Sequence, residues 1–258
     1  MSDLRLLLEP PLARIVLDRP ERRNAMSEAM WRDLARLSAE IEARAEIKAV
    51  IVEGAGGHFC SGADIAEFDE VFAAANSARA YLGAIEHALE ALNQLDRPTL
   101  ARIEGSAVGG GLAIALACDL RFAAEDAHLA VPPAKLGLLY GPVETRLLVE
   151  TIGPAAAKDL LFSARAVEPQ EALRLGLINR SLPAAALAEA AETQARTWSR
   201  LSQTSIRGAK KAVRAALAAN FDELRALVEG AALGKDFREG RAAFKAKRPA
   251  NFPVGPGP

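Results

Sequence analysis

The 258-residue sequence contains little cysteine, few aromatic residues and almost no net charge. Its two cysteines, Cys60 and Cys118, lie in apolar segments without the spacing of metal ligands. This argues against a disulfide framework and a metal site, and it predicts a reduced, cytoplasmic setting. A formal net charge of −1 gives no electrostatic reason to expect nucleic acid or an acidic membrane surface as a partner.

Long hydrophobic runs are also missing. An apolar run at residues 112–117 is far too short to cross a membrane. The first residues, MSDLRLLLEPP, lack the apolar segment and cleavage site of a secretory signal, so we expect neither export nor a membrane span. Half of the residues are hydrophobic and a quarter are charged, which is ordinary for a globular protein with a substantial core.

A run of three glycines, residues 109–111, separates two apolar segments. The segment before it, residues 99–103, is typical of a strand, and the segment after it, residues 112–117, is typical of a helix. Glycine permits close approach of a ligand to the backbone, and a helix N-terminus offers unpaired N–H donors. Such donors suit an oxyanion hole, although a tight turn without chemistry is the alternative for an isolated glycine run.

A second turn rich in small residues, FCSGADI at residues 59–65, follows another apolar strand at residues 49–52. Two strand–glycine–helix elements of this kind can each donate one N–H to the same oxygen. FCSGADI and the spaced pattern L-A-x-I-E-G-x-x-x-G-G-G-x-x-x-x-L-x-C-D-L at residues 100–120 resemble the two signatures of the enoyl-CoA hydratase/isomerase (crotonase) family. The resemblance extends to residues 17–27, 171–183 and 242–252, and so covers nearly the whole chain.

The resemblance implies an α/β fold in two parts. Residues 1–180 would form a superhelix of ββα turns that carries an acyl-CoA site. Residues 181–258 would form a helical region that assembles a homotrimer or a dimer of trimers, with a disordered tail, VGPGP. The substrate implied is an acyl-CoA thioester, so coenzyme A enters as part of the substrate, and no separate cofactor or metal is expected.

The same resemblance assigns the ligand-binding positions. The backbone N–H groups of Ala63 and Gly110 would be the two oxyanion donors. The positions that would contact coenzyme A are Arg22, Arg23, Asn24, Ala25, Asp64, Ile65, Phe244 and Lys247. The arginines would meet phosphates, residues 24–25 would line the channel, residues 63–65 would hold the adenine, and the last pair would reach a neighbouring subunit's coenzyme A. Without the resemblance, the arginines would belong to a solvated loop, Phe244 to the core and Lys247 to the surface.

The chain departs from the family's hydratases at both catalytic glutamates. A hydratase places water between two carboxylates that act as general acid and base. The corresponding positions here are Ala113 and Pro133, which lies four residues before Gly137. Neither side chain can move a proton, which argues against ordinary two-glutamate hydration but not against acyl-CoA binding.

Two residues of the next segment are candidates to replace the glutamates. Tyr140 lies three residues after Gly137, as in relatives that decarboxylate malonyl-type thioesters, although the histidine of those relatives is missing near residues 63–65. Glu144 lies four residues after Tyr140, and on a helix the two side chains would share a face. A carboxylate at a helix start is also an ordinary structural feature. Glu67 and Asp69 are weaker candidates.

The histidines give no nucleophilic site. His58 is expected to be a surface or structural residue, and His87 and His128 have no serine or cysteine partner at a telling spacing. We therefore favour an acyl-CoA lyase of the decarboxylase or other C–C lyase type, or a hydrolase. A hydratase or isomerase that uses Glu144 as its acid and base is the alternative within the same class. A non-catalytic acyl-CoA binder is a second class, and a nucleic-acid binder is disfavoured by the charge.

The coarse pattern predicts strands near residues 14–17, 48–53, 99–103, 119–123 and 128–130. Helices are predicted over 28–43 (capped by Ser27), 76–95 and 109–117, and over most of the chain from residue 144, with a short break or strand at 177–181. Pro154, Pro169 and Pro183 each stand where a helix would start. The basic cluster Arg207, Lys210, Lys211 and Arg214 is expected to form a solvated helix face, and contact with ligand phosphates is the alternative. A set of apolar residues would line the acyl end or, as we favour, belong to the core: Phe68, Phe72, Tyr81 and Leu82.

Overall fold

The sheets and helices of the protein are seen in a computed structural model that describes residues 3–252, so the segment VGPGP lies outside the described residues. The strands of this range are β1 Leu4–Glu9, β2 Leu12–Leu17, β3 Ala49–Gly54, β4 Thr99–Ile103, β5 Ser106–Val108, β6 Leu120–Ala124, β7 His128–Ala130, β8 Ala166–Val167 and β9 Arg180–Leu182. The helices are α1 Glu28–Glu42, α2 Phe68–Val71, α3 Ala75–Asn93, α4 Gly110–Ala117, α5 Pro142–Ser163, α6 Pro169–Leu175, α7 Ala184–Arg200, α8 Gln203–Leu217, α9 Phe221–Leu233 and α10 Lys235–Lys245.

The strands form two sheets. The larger has the order β1-β2-β3-β4-β6-β9 and is parallel except for the β1–β2 pair. The smaller has the order β5-β7-β8, and an isolated parallel bridge between Cys60 and Ala107 continues it towards the turn after β3. Successive chain segments therefore place one strand in each sheet before a helix, which confirms the ββα superhelix.

The parallel strands are buried because helices cover them. In β3, Ala49, Val50, Ile51 and Val52 are all inaccessible to solvent, as expected for a parallel strand with both faces covered. Helix α1 begins where predicted, since the Ser27 hydroxyl accepts a hydrogen bond from the Met30 N–H at 3.2 Å. Its apolar face packs against α3, and Trp31 on this face lies next to Gly110.

Prolines begin several of the later helices, as the sequence predicts. Pro169 is the first residue of α6, and Pro183 is the N-cap of α7. Within α5, Gly153 has a φ of 74° and interrupts the helical backbone, so Pro154 starts the second half of that helix. Three strands, β1, β5 and β8, were not predicted, because their segments are short or lack strict alternation of apolar residues.

The basic cluster on α8 does not form a solvated face, so that expectation is wrong. The Lys210 ammonium group donates to Asp119 at 2.8 Å and to the Arg97 carbonyl at 3.1 Å, and its side chain is buried. Lys211 pairs with Asp96, and Arg214 donates to the carbonyls of residues 93 and 95. The basic face of α8 therefore attaches this helix to the edge of the β4–β6 region. Among the described residues, no helix is both long and apolar enough to span a membrane.

This attachment predicts different effects for two neighbouring lysines. Lys210→Ala removes a buried cation that holds Asp119, and we expect it to lower the free energy of unfolding by about 1.5–3 kcal/mol. Lys211→Ala removes a half-exposed ion pair and should cost less than about 1 kcal/mol. Urea denaturation of both variants measures the difference, and equal losses would place Lys210 in solvent.

Candidate active site

Each glycine of the run 109–111 has its own structural reason. Gly109 adopts φ 52° and ψ −117°, a backbone conformation that side chains disfavour. Gly111 packs directly on the turn after β3, since a Cβ there would lie 2.2 Å from the Cys60 carbonyl oxygen. Gly110 lies between these two glycines and begins α4. Its N–H has no carbonyl acceptor within the helix, because no helical turn precedes it.

The two glycine turns bring two backbone N–H groups together. A Cβ placed on Gly110 would lie 3.8 Å from the Ala63 nitrogen, and one placed on Gly62 would lie 3.8 Å from the Gly110 nitrogen. Within residues 3–252, neither the Ala63 N–H nor the Gly110 N–H has a hydrogen-bond acceptor. Two neighbouring, unpaired donors at a helix N-terminus form the geometry of an oxyanion hole.

The Ala63 donor is held in place by the backbone on both sides of it. The Met26 N–H donates to the Gly62 carbonyl at 2.8 Å, and the Asp64 N–H donates to the Met26 carbonyl at 2.9 Å. The Asp64 carboxylate accepts from the Ala66 N–H at 3.1 Å and from Arg19 at 2.7 Å. Burial raises the pKa of Asp64, but these hydrogen bonds and the Arg19 charge outweigh it and hold the pKa below its ordinary value.

The positions expected to contact coenzyme A fall into two groups. Arg22, Arg23 and Ile65 are exposed beside the first glycine turn and are free to meet a ligand there. Ala25 is buried, and Asn24 is completely buried. The Asn24 amide donates to the carbonyls of residues 55 and 58 at 2.9 and 2.7 Å, and its oxygen accepts from the Arg19 N–H at 2.9 Å. The Asn24 side chain therefore holds the loop and has no group left for a ligand.

Phe244 and Lys247 lie at the end of α10. Phe244 is 86% exposed, so the assignment to the core that the bare sequence favours is wrong. Lys247 is exposed with a left-handed backbone, φ 50°. A contact with a neighbouring subunit's coenzyme A stays a prediction for this pair.

The two positions that the resemblance aligns with the hydratase glutamates carry no acid. Ala113 is completely buried in α4, and Pro133 begins the 3-10 helix Pro133–Leu136. Of the weaker candidates, the Glu67 carboxylate accepts from the Glu28 N–H at 2.7 Å and so caps α1, whereas Asp69 is exposed. The remaining candidates for an acid or base are Tyr140 and Glu144, further along the chain.

Tyr140 lies at the oxyanion turn, but not on a helix. Helix α5 begins at Pro142 after the N-cap Gly141, so the expectation of one helical face shared by Tyr140 and Glu144 is wrong. The Tyr140 hydroxyl donates to the Gly109 carbonyl at 3.0 Å. Burial raises the pKa of Tyr140 well above its usual range, and the nearby charge of Glu144 raises it further. The hydroxyl is therefore protonated and already engaged.

Glu144 lies in the first turn of α5 and is only 8% exposed. Its Oε2 atom is buried without a hydrogen-bond partner in the described part of the chain. Burial raises the pKa of Glu144, the charge of Glu86 on α3 raises it further, and the N–H groups of Gly141 and Glu144 itself oppose the rise. A Cβ at Gly141 would lie 2.2 Å from Oε2, so Gly141 leaves the space that the carboxylate occupies.

Trp31, which no sequence motif indicates, lies against the first residue of α4. The Trp31 ring carbon Cζ2 lies 3.0 Å from the point where a Cβ of Gly110 would be. Phe68, Phe72 and Tyr81 stack edge to face beyond it, with ring centroids 5.1 to 6.5 Å apart. Tyr81 is buried as expected, whereas Leu82 is about half exposed. No local motif indicates Trp31, because its contact with Gly110 joins residues that are far apart in the sequence.

The histidines take no part in this arrangement. His58 Nδ1 accepts from the Ser106 N–H at 3.3 Å, which is a structural role as expected. His87 and His128 are exposed. Within the described residues, no three histidine, cysteine, aspartate or glutamate side chains are grouped as metal ligands would be.

Comparison with known proteins gives one consistent result. The family model described as enoyl-CoA hydratase/isomerase matches residues 9–254. A protein of Mycobacterium bovis named probable enoyl-CoA hydratase echA8 is 35% identical over 243 residues, which cover 92% of this chain and 93% of that protein.

Solved structures agree with the sequence matches. An enoyl-CoA hydratase/isomerase family protein from Hyphomonas neptunium superposes with a TM-score of 0.94 at 40% identity, over 98% of both chains. An enoyl-CoA hydratase from Bacillus anthracis superposes with a TM-score of 0.91 at 31% identity, over 97% of this chain and 99% of that one. With its two ββα glycine turns and their unpaired N–H groups, the chain belongs to the enoyl-CoA hydratase/isomerase family, the crotonase family of acyl-CoA-processing enzymes.

Proposed function

We propose that this enzyme moves the double bond of an enoyl-CoA thioester through an enolate, with Glu144 as its single acid and base. The observation that carries this proposal is the buried Glu144 carboxylate, whose Oε2 atom has no partner in the described chain and whose pKa is raised. Buried carboxylates with raised pKa values are suited to proton transfer near neutral pH.

The oxyanion hole supplies the other half of the chemistry. The N–H groups of Ala63 and Gly110 lie next to each other and are unpaired within residues 3–252, which fits the oxygen of a thioester enolate. Such donors stabilise the charge that develops when a proton leaves the carbon beside the thioester. They bind the same oxygen less strongly in the neutral substrate, so they lower the barrier.

The proposed proton transfer needs one carboxylate only. In a 3-enoyl thioester, Glu144 removes a proton from C2, and the electron pair forms a dienolate whose oxygen lies in the oxyanion hole. Protonated Glu144 then returns the proton to C4, and the double bond comes to lie between C2 and C3. No water is consumed, and Glu144 ends the cycle ionised. The absence of acids at positions 113 and 133 is compatible with this route.

Decarboxylation, the reaction that the sequence alone favours, is the second candidate. It is supported by Ala113 and Pro133, because loss of carbon dioxide generates the enolate without a base. Two observations argue against decarboxylation. The Tyr140 hydroxyl donates to the Gly109 carbonyl and not into open space, and an ionised Glu144 beside it would repel a substrate carboxylate.

A substitution of Glu144 tests the assignment. Glu144→Gln keeps the shape of the side chain but cannot accept a proton, and we expect kcat/KM for a 3-enoyl-CoA to fall by about 10²–10⁴-fold. Glu150→Gln on the same helix removes an exposed carboxylate that pairs with Arg146, and it should leave the rate unchanged. Steady-state kinetics of the two variants give the comparison.

Turnover of four thioesters separates the candidate reactions. These are a 3-enoyl-CoA, crotonyl-CoA, methylmalonyl-CoA and a β-keto acyl-CoA. Hydration of crotonyl-CoA that depends on Glu144 would keep the site and change the reaction to hydration. Methylmalonyl-CoA decarboxylation that survives in Glu144→Gln but is lost in Tyr140→Phe would establish the second candidate instead. Tight binding of every thioester without turnover would identify a non-catalytic binder.

The pH dependence of the isomerisation follows from the position of Glu86. The ionised form of Glu144 is the base, so kcat/KM should decrease as pH falls below the pKa of Glu144. The like charge of Glu86 raises that pKa. Glu86→Gln should therefore shift the acidic limb of the kcat/KM profile to lower pH, and an unmoved limb would mean that another group titrates.

A further inference from the structure

The carbonyl of Gly109 accepts two hydrogen bonds, and neither takes part in the proposed proton transfer by Glu144. One comes from the Ala113 N–H at 3.0 Å and belongs to the first turn of α4. The other comes from the Tyr140 hydroxyl at 3.0 Å, thirty-one residues further along the chain. Gly109 and Gly110 share one peptide unit, so this carbonyl and the proposed oxyanion donor belong to the same rigid plane.

That peptide plane needs external support. It is flanked by two glycines, which restrict backbone rotation less than any other residue, and Gly109 has a positive φ. The C=O and N–H of a trans peptide point in opposite directions, so a rotation of the plane would replace the donor in the oxyanion hole with a carbonyl oxygen. The Gly109 N–H belongs to the preceding peptide and donates to the Ala130 carbonyl at 2.9 Å. The Gly109–Gly110 peptide is therefore held through the hydrogen bonds that the Gly109 carbonyl oxygen accepts.

We propose that Tyr140 is a positioning residue that fixes the Gly109–Gly110 peptide and thereby aims the Gly110 N–H into the oxyanion hole. The hydroxyl donates to the far side of the same peptide, so Tyr140 acts without touching the substrate. The bond also polarises the peptide, because a hydrogen bond to the carbonyl strengthens donation by the N–H of that unit. This inference rests on the proposed oxyanion function of Gly110.

The same side chain connects the oxyanion donor with the proposed base. Tyr140 immediately precedes the N-cap Gly141 of α5, and Glu144 lies in the first turn of that helix. The neighbouring Leu139 is 95% exposed, whereas the Tyr140 side chain reaches the oxyanion turn. The Tyr140 hydroxyl therefore links the segment just before α5 to the turn that begins α4, in addition to the packing between these two helices.

The test measures the polarisation of a bound thioester carbonyl and does not depend on turnover. Butyryl-CoA labelled with ¹³C at the carbonyl has no double bond to move, and infrared difference spectroscopy reports its C=O stretch in the complex. We expect a shift to lower frequency in the wild-type enzyme and a smaller shift in Tyr140→Phe. For the 3-enoyl-CoA, kcat should fall by about 10–100-fold with little change in KM, less than for loss of an oxyanion donor itself.

Thr145→Val is the matched control. The Thr145 hydroxyl donates to the Tyr140 carbonyl at 3.1 Å, so this variant loses a bond in the same loop without altering the bond to Gly109. We expect a loss of stability like that of Tyr140→Phe but the full wild-type carbonyl shift. A merely structural role for the Tyr140 bond would give the two variants the same spectrum.

The possible outcomes separate this inference from the proposed function. No carbonyl shift in the wild-type enzyme would overturn the oxyanion hole, and this inference with it. A wild-type shift that is unchanged in Tyr140→Phe would overturn the positioning role alone. If Tyr140→Phe does not fold, 3,5-difluorotyrosine at position 140 keeps the ring and makes the hydroxyl a stronger donor. It should enlarge the carbonyl shift, and an equal shift would again reject the role.

Discussion

The close contact between the first turn of α4 and the turn after β3 is the constraint on which the rest of the site depends. The Cys60 carbonyl lies where a side chain at position 111 would begin, so only glycine allows the two backbones to meet. Parallel-strand hydrogen bonds, from the Cys60 N–H to the Ser106 carbonyl and from the Val108 N–H to the Cys60 carbonyl, hold this contact. The unpaired N–H groups of Ala63 and Gly110 become neighbours because of it.

The polar chemistry is arranged around this fixed pair of donors. The donors come from the main chain, so they persist while the side chains around them change. The positions that the resemblance aligns with the hydratase glutamates are Ala113 and Pro133, and a buried carboxylate, Glu144, lies at the start of α5. Burial and a like charge from Glu86 raise the pKa of that carboxylate, and Tyr140, which is near its charge, donates to the oxyanion turn. The fold fixes the two main-chain donors, whatever the identity of the side chains around them.

Local signals predicted those parts of the fold that depend on local physics. Ser27 caps α1, Pro169 begins α6, and the apolar run of β3 is buried, all as the sequence indicates. The prediction for α8 failed because a distant segment decided the outcome: its basic face packs on the β4–β6 edge. The start of α5 after Tyr140 is set locally, by the N-cap Gly141 and by Pro142. Phe244 is exposed, contrary to its assignment to the core.

The sequence by itself determined the family, the two glycine turns and the non-acidic residues Ala113 and Pro133, because these follow from residue identity at short spacing. Only the tertiary structure decided what the remaining polar groups do. The hydrogen bond from Tyr140 to Gly109 joins residues 31 positions apart, and the charge of Glu86 acts on Glu144 across 58 positions. Neither interaction can be predicted from a local sequence pattern. The state of a buried proton depends on the burial, charge and hydrogen bonds around it, and these are properties of the packed protein.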